Sequence, residues 1–241
     1  MWSEENAQSP DQVLPGSHAM AWWQCGAGHR WRAPVYTVTG GSGCPYCARY
    51  RTAPGETDLM TTRPDIAAFW DQEKNGSLTP RDVLAGSSRT VWWRCENGHP
   101  HSFRARVFAR TGGSGCPYCA GNKVLPGFND LATTDPELSA QWADEAIQPS
   151  EVVRSSHREV LWRCRLGHTY RAAVYSRAAG NGCPYCAGRK VLQGFNDLAT
   201  THPELAGEWY QPLNGELTPE AVSKGSNKKA WWRCRFGHVW Q

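Results

Sequence analysis

Four times along the chain a tryptophan stands two residues before a cysteine, and a Gly-His pair follows. The copies are Trp23-x-Cys25-x3-His29, Trp93-x-Cys95-x3-His99, Trp162-x-Cys164-x3-His168 and Trp232-x-Cys234-x3-His238. The cysteines fall 69 to 70 residues apart, so the 241 residues are a tandem array and not one continuous fold. Three copies continue to a second motif: Gly43-Cys44-Pro-Tyr-Cys47, Gly115-Cys116-Pro-Tyr-Cys119 and Gly182-Cys183-Pro-Tyr-Cys186. The fourth ends at Gln241 before reaching it.

Each complete copy therefore offers three thiols and one imidazole. Taken from the Gly-His motif, the spacers between His and the Cys pair hold 14, 16 and 14 residues. Cys-x3-His with Cys-x2-Cys matches a closed tetrahedral zinc site, and an odd number of cysteines per repeat disfavours disulfides within it. The expected ligands are Cys25, His29, Cys44 and Cys47; Cys95, His99, Cys116 and Cys119; and Cys164, His168, Cys183 and Cys186. Cys234 and His238 form a half site. Cys-Pro-Tyr-Cys alone also resembles a glutaredoxin redox motif. That reading needs one such motif at a helix start in a thioredoxin-like fold, whereas here it recurs three times, each with its own Cys-His partner.

The segment before each first Cys alternates like a strand, the Gly before each His supplies a sharp turn, and an aromatic follows at Trp31, Phe103, Tyr170 and Trp240. This predicts a β-hairpin whose turn carries two ligands, with Trp23, Trp93, Trp162 and Trp232 beside the metal. Trp22, Trp92 and Trp231 become Leu161 in the third copy, which suggests apolar core. A Pro after the first Cys of the second pair predicts a helix start there. The connectors repeat as well: Phe128-Asn-Asp-Leu-Ala-Thr-Thr-Asp-Pro-Glu-Leu138 matches Phe195-Asn-Asp-Leu-Ala-Thr-Thr-His-Pro-Glu-Leu205. Thr134 with Glu137 and Thr201 with Glu204 read as capping boxes, opening helices that place Leu138 over Trp142 and Leu205 over Trp209. Trp2 corresponds to Trp70.

The whole is expected to be small α+β: zinc-stabilised repeats of about 70 residues, each a hairpin plus short helices, too small to fold on apolar burial alone. The boundaries read as 1–51 (first module, N-terminally incomplete), 52–123 (second), 124–190 (third) and 191–241 (partial fourth, lacking the second Cys pair). These motifs resemble the treble-clef, or probable zinc-ribbon, family of tandem W-x-C-x2-GH and G-x-G-C-P-x-C units, and the resemblance covers nearly the whole chain. It implies a short hairpin plus helix around Zn2+. Its members are bacterial, phage or eukaryotic proteins, some with a nuclease-like domain elsewhere. The half site favours a chain cut from a longer one.

Charge is segregated. The finger segments 21–51, 91–123, 160–190 and 228–241 hold 19 of the 26 Lys and Arg but only Glu96 among the 22 acids. The net charge of +4 falls to about +1 once three anionic Cys3His-zinc centres are counted. Arg32, Arg104 and Arg171 follow the post-His aromatic, and Arg110 and Arg177 stand six residues before the Cys pair, where the first copy has Val38. Basic and aromatic residues interleaved on small zinc modules suit phosphate contact and base stacking, with DNA ahead of RNA. The alternatives are a protein-interaction scaffold and the targeting region of a larger nuclease-like protein. No catalytic constellation or small-molecule site is evident, so a non-enzyme is expected. No apolar run approaches a membrane span and no signal segment opens the chain, so a bacterial cytoplasmic protein is expected.

Overall fold

A computed structural model describes residues 1–241. It divides into two compact units, Met1–Ala120 and Gly121–Gln241. No helix is long and apolar enough to cross a membrane. Four two-stranded antiparallel hairpins run through the chain: β1 (Met20–Gln24) with β2 (Arg30–Pro34), β3 (Thr90–Arg94) with β4 (Ser102–Arg106), β5 (Glu159–Arg163) with β6 (Thr169–Ala173), and β7 (Trp232–Arg233) with β8 (Val239–Trp240). Short helices surround them: α1 (Val35–Thr39), α2 (Leu59–Thr62), α3 (Pro64–Ala67), α4 (Gln72–Asn75), α5 (Val107–Thr111), α6 (Leu131–Thr134), α7 (Pro136–Ser139), α8 (Val174–Ala178), α9 (Leu198–Thr201), α10 (Pro203–Gly207) and α11 (Gln211–Asn214). This is the small α+β repeat architecture expected from the sequence.

Strand alternation decides what each hairpin buries. Trp23, Trp93 and Trp162 face inward opposite Trp31, Phe103 and Tyr170. Their indole N–H groups donate to the carbonyls of Ala33, Ala105 and Ala172 at 2.9–3.1 Å, so burial leaves no orphan donor. A second tryptophan from the connector bridges to each: Trp2 to Trp23, Trp70 to Trp93, Trp142 to Trp162 and Trp209 to Trp232. The four pairs share one edge-to-face geometry, with centroids 5.0–5.3 Å apart and planes 73–82° apart. Trp2 is thus the structural counterpart of Trp70. Each core mixes a connector with the hairpin that follows it, as in Leu59, Trp70, Val91, Trp93 and Cys116, or Leu131, Val160, Trp162 and Cys183.

Three local expectations change. The capping boxes are replaced by deeper caps. Asp58, Asp130 and Asp197 are buried and accept from the amides of Thr61, Thr133 and Thr200. Asp130 and Asp197 also accept from Gly127 and Gly194 at 2.6 Å, and Asp58 from Gly55. The helices are single turns because Pro64, Pro136 and Pro203 push the preceding residue out of the helical region, as at Asp135 (φ −148°, ψ 71°). Thr134 donates its hydroxyl to the Asp130 carbonyl instead of opening a helix. The second Cys pair lies on one hydrogen-bonded turn, closed by Ala48, Ala120 and Ala187 N–H onto the carbonyls of Cys44, Cys116 and Cys183, all at 3.0 Å. Finally, the outer tryptophan position is not core. Trp22 is 38% exposed, and Trp92, Leu161 and Trp231 are half-buried.

Candidate metal centre

Each hairpin turn is built by backbone before any side chain acts. In the first, Cys25 N–H donates to the His29 carbonyl (3.1 Å) and Gly28 N–H returns to the Cys25 carbonyl (3.0 Å). Gly28 holds φ at +86°, and Gly98, Gly167 and Gly237 hold +75°, +83° and +88°, a region that side-chain-bearing residues avoid. The third and fourth turns repeat this with Cys164–His168 and Cys234–His238 at 3.0 and 3.1 Å. In the second turn, Cys95 N–H instead donates to the carbonyl of His101, at 3.1 Å. The loop there is two residues longer.

Three donor groups result: Cys25, His29, Cys44 and Cys47; Cys95, His101, Cys116 and Cys119; Cys164, His168, Cys183 and Cys186. Within each, the donor atoms lie within 4.8 Å of one another. The second group corrects the sequence reading. His101, not His99, faces the thiols, with its Nε2 3.2 Å from Cys116 Sγ. His99 stacks beside it, centroids 5.7 Å apart. His101 restores two regularities: 14 residues before the Cys pair, and an inward aromatic two positions on, at Phe103 as at Trp31 and Tyr170.

The donor geometry fits zinc. Zn–S of about 2.3 Å and Zn–N of about 2.0 Å give tetrahedral edges of about 3.8 Å for S–S and about 3.6 Å for S–N. The first site has Cys25–Cys47 at 3.7 Å and His29 Nδ1 at 3.4, 3.3 and 3.6 Å from Cys25, Cys47 and Cys44. The third has Cys164–Cys186 at 3.8 Å and His168 Nδ1 at 3.3 and 3.8 Å from Cys186 and Cys183. Cys95 and Cys119 stand 3.4 Å apart. These sulfurs converge but are too far apart for a disulfide bond, and every cysteine is free.

The thiols also oppose one another's ionisation. Cys47 is pushed up to about 11, first by its hydrogen bond to Cys25 and then by desolvation. Burial pushes Cys116 and Cys186 up to about 11 as well. Burial opposes ionisation of Cys25 too, but the Ala27 and His29 amides and the Cys47 and Cys44 thiols bring it down to about 6. Three adjacent thiolates need a cation, and a bound divalent ion would supply that charge while tying the hairpin to the Cys turn. Cys234 and His238 have the knuckle backbone alone.

Among the basic residues proposed to bind nucleic acid, two are corrected. Arg110 and Arg177 are buried, at 4% and 8% exposure. Arg110 lies over Trp93 and Phe103, and Arg177 over Trp162 and Tyr170, at 5.3–5.8 Å. Arg110 donates to the Ser114 carbonyl and pairs with Glu96 (3.4 Å). Arg177 donates to the Asn181 carbonyl and Gln141 Oε1, both at 2.6 Å. They brace the Gly-rich approach to the Cys pair, and at the equivalent position Val38 packs against the first core instead. Glu96, the one acid in the finger segments, also accepts from Cys116 N–H at 2.7 Å. Arg177→Ala is expected to cost about 1–3 kcal/mol of folding stability through its lost buried hydrogen bonds. Calorimetry at full zinc loading checks this; an unchanged melting temperature would return Arg177 to the surface set. Arg32, Arg104 and Arg171 are exposed, as expected.

No curated protein was found to match the chain. The model of one family, described as a probable treble clef zinc finger domain, matches residues 1–50, 66–122, 138–189 and 205–241. Each match takes in one Trp-Cys-His hairpin and, in the first three, the Cys pair that follows it. The chain belongs to the probable treble clef zinc finger domain family.

Proposed function

We propose that the chain is a non-enzymatic array of zinc-stabilised modules that binds nucleic acid, DNA ahead of RNA, through its hairpin faces. One observation carries this reading. Arg32, Arg104 and Arg171 occupy the same register position on β2, β4 and β6, all exposed, directly across from Trp22, Trp92 and Leu161. Arg104 lies 5.9 Å from the Trp92 ring and Lys74 lies 5.0 Å from it. Just past the same strands, Tyr36, Phe108 and Tyr175 are exposed by 44–46%, giving three π surfaces beside cationic ones. Four protein ligands per tetrad leave no open position for a reacting water, which supports a structural and not a hydrolytic ion.

The test is binding of labelled oligonucleotides at several salt concentrations. The triple variant R32E/R104E/R171E is expected to lose at least tenfold in affinity. Its plot of log affinity against log salt should flatten by about three or more, since each lost phosphate contact removes roughly one from the slope. Zinc content should stay at three, because none of the three arginines touches a tetrad. Unchanged affinity, or salt-independent binding, would overturn the reading. The exposed Tyr36, Phe108 and Tyr175 also suit a protein partner, and capture of one by chain that binds no oligonucleotide would favour a scaffold instead.

A further inference from the structure

The loop after each Cys turn belongs to the core of the following module. Asp58 and Asp197 cap α2 and α9, and Leu59 and Leu198 N–H donate to the carbonyls of Val83 and Val222 at 2.8 and 2.7 Å. Yet in the loops after the first and third Cys turns one side chain turns back onto the metal-binding histidine of the module before. Glu56 Oε2 lies 2.6 Å from His29 Nε2. At the equivalent position, the Phe195 ring meets the His168 ring edge-to-face with centroids 4.2 Å apart. Its neighbour Asn196 donates to the carbonyl of Tyr185, between Cys183 and Cys186, at 2.9 Å. Neither tetrad is enclosed by its own module.

We propose that these loops are latches: each holds the preceding module's histidine in its metal-binding orientation, and Glu56 makes the first site grip its ion more tightly than the third. The proposal rests on the zinc reading of the tetrads. The two latches hold by different chemistry. His29 presents Nδ1 to the thiols, so its Nε2 carries the proton and donates it to the Glu56 carboxylate. An anion accepting that proton fixes the tautomer and makes Nδ1 a better donor to a cation. Phe195 restrains the His168 ring by packing alone and adds no charge. Glu56 is a positioning residue, because it touches the ligand and not the ion. Loss of such a partner lowers metal affinity by about 10–100-fold, and the half-exposed Glu56 should fall near the lower bound.

The experiment uses the full chain loaded with zinc, with E56A, E56D and F195E variants. Chelator competition is followed site by site through the backbone amides of Cys25, Cys95 and Cys164 in nitrogen-proton spectra. E56A is expected to lower affinity about tenfold at the first site and leave the others unchanged. E56D should restore part of the loss, and F195E should tighten the third site. The His29 Nε2 proton should exchange slowly in wild type and E56D and rapidly in E56A, a change that a merely structural contact would not produce. Equal weakening of all three sites in E56A, unchanged first-site affinity, or an unaltered Nε2 proton would each overturn the latch. Failure of the wild-type chain to bind three equivalents would instead defeat the zinc reading, so the two failures are distinguishable.

Discussion

A strong chelator is expected to abolish the near-ultraviolet circular dichroism of the chain. The edge-to-face tryptophan pairs are fixed chiral aromatic contacts of the kind that signal reports, and their geometry depends on each hairpin staying docked. Two features make the loss large. First, the apolar interior is small: the three clusters hold ten, eight and five buried residues in the second, third and first modules. Units of this size bury only a marginal core. Second, the ligands are part of the interior. Cys44, Cys95, Cys116 and Cys183 are buried with it, so removal of the ion leaves either crowded thiolates or thiols with no bond to close the module. Structural zinc contributes roughly 10–16 kcal/mol of apparent binding free energy, comparable to the whole stability of an ordinary domain. Elemental analysis should give three zinc per chain before chelation. A spectrum unchanged by metal removal would refute the architecture's dependence on the ion.

The second large effect separates two histidines two residues apart. His101→Ala is expected to drop zinc content from three equivalents to two and to unfold the second module. His99→Ala should keep all three. The reason is backbone register: Cys95 N–H bonds to the carbonyl of residue 101, which places that imidazole, not its neighbour, against Cys116. The ring nitrogen differs as well. His101 presents Nε2, whereas His29 and His168 present Nδ1, so cadmium or nitrogen spectra should report one histidine of opposite tautomer. Loss of zinc in His99→Ala with retention in His101→Ala would reverse the assignment.

That correction shows which sequence signals carried physical weight. The Gly-His pair drew attention to His99 because the first and third copies place that histidine, His29 and His168, among the donors. The signals tied to geometry pointed to His101: a constant 14-residue span to the Cys pair and an inward aromatic two residues on. A loop can absorb two extra residues, while the strand that follows keeps its register against its partner, with Phe103 opposite Trp93 as Trp31 is opposite Trp23. The arginines teach the same lesson. Arg110 and Arg177 looked like surface charge by residue type, while Val38 at the equivalent position showed that the site tolerates an apolar side chain. Arg32, Arg104 and Arg171 alternate with buried aromatics on one strand, so their exposure was legible. The tryptophan pairing was legible only in part. Recurrence marked Trp142 and Trp209, but helical spacing tied them to Leu138 and Leu205, whereas the structure pairs them with the hairpin. Proline after each first turn cut those helices short. The latch contacts were invisible, because Glu56 and Phe195 share a position but no chemistry.

Each connector tryptophan docks on the hairpin that comes after it, and this fixes where the array can be lengthened or shortened. A recombination crossover in the stretch between a Cys turn and the next buried Asp inserts or removes a whole interior at once, never half of one. Such an array can change copy number without passing through an unfolded intermediate gene product. The junction residue at the crossover, glutamate or phenylalanine, then travels with the incoming module and resets the neighbour it lands beside.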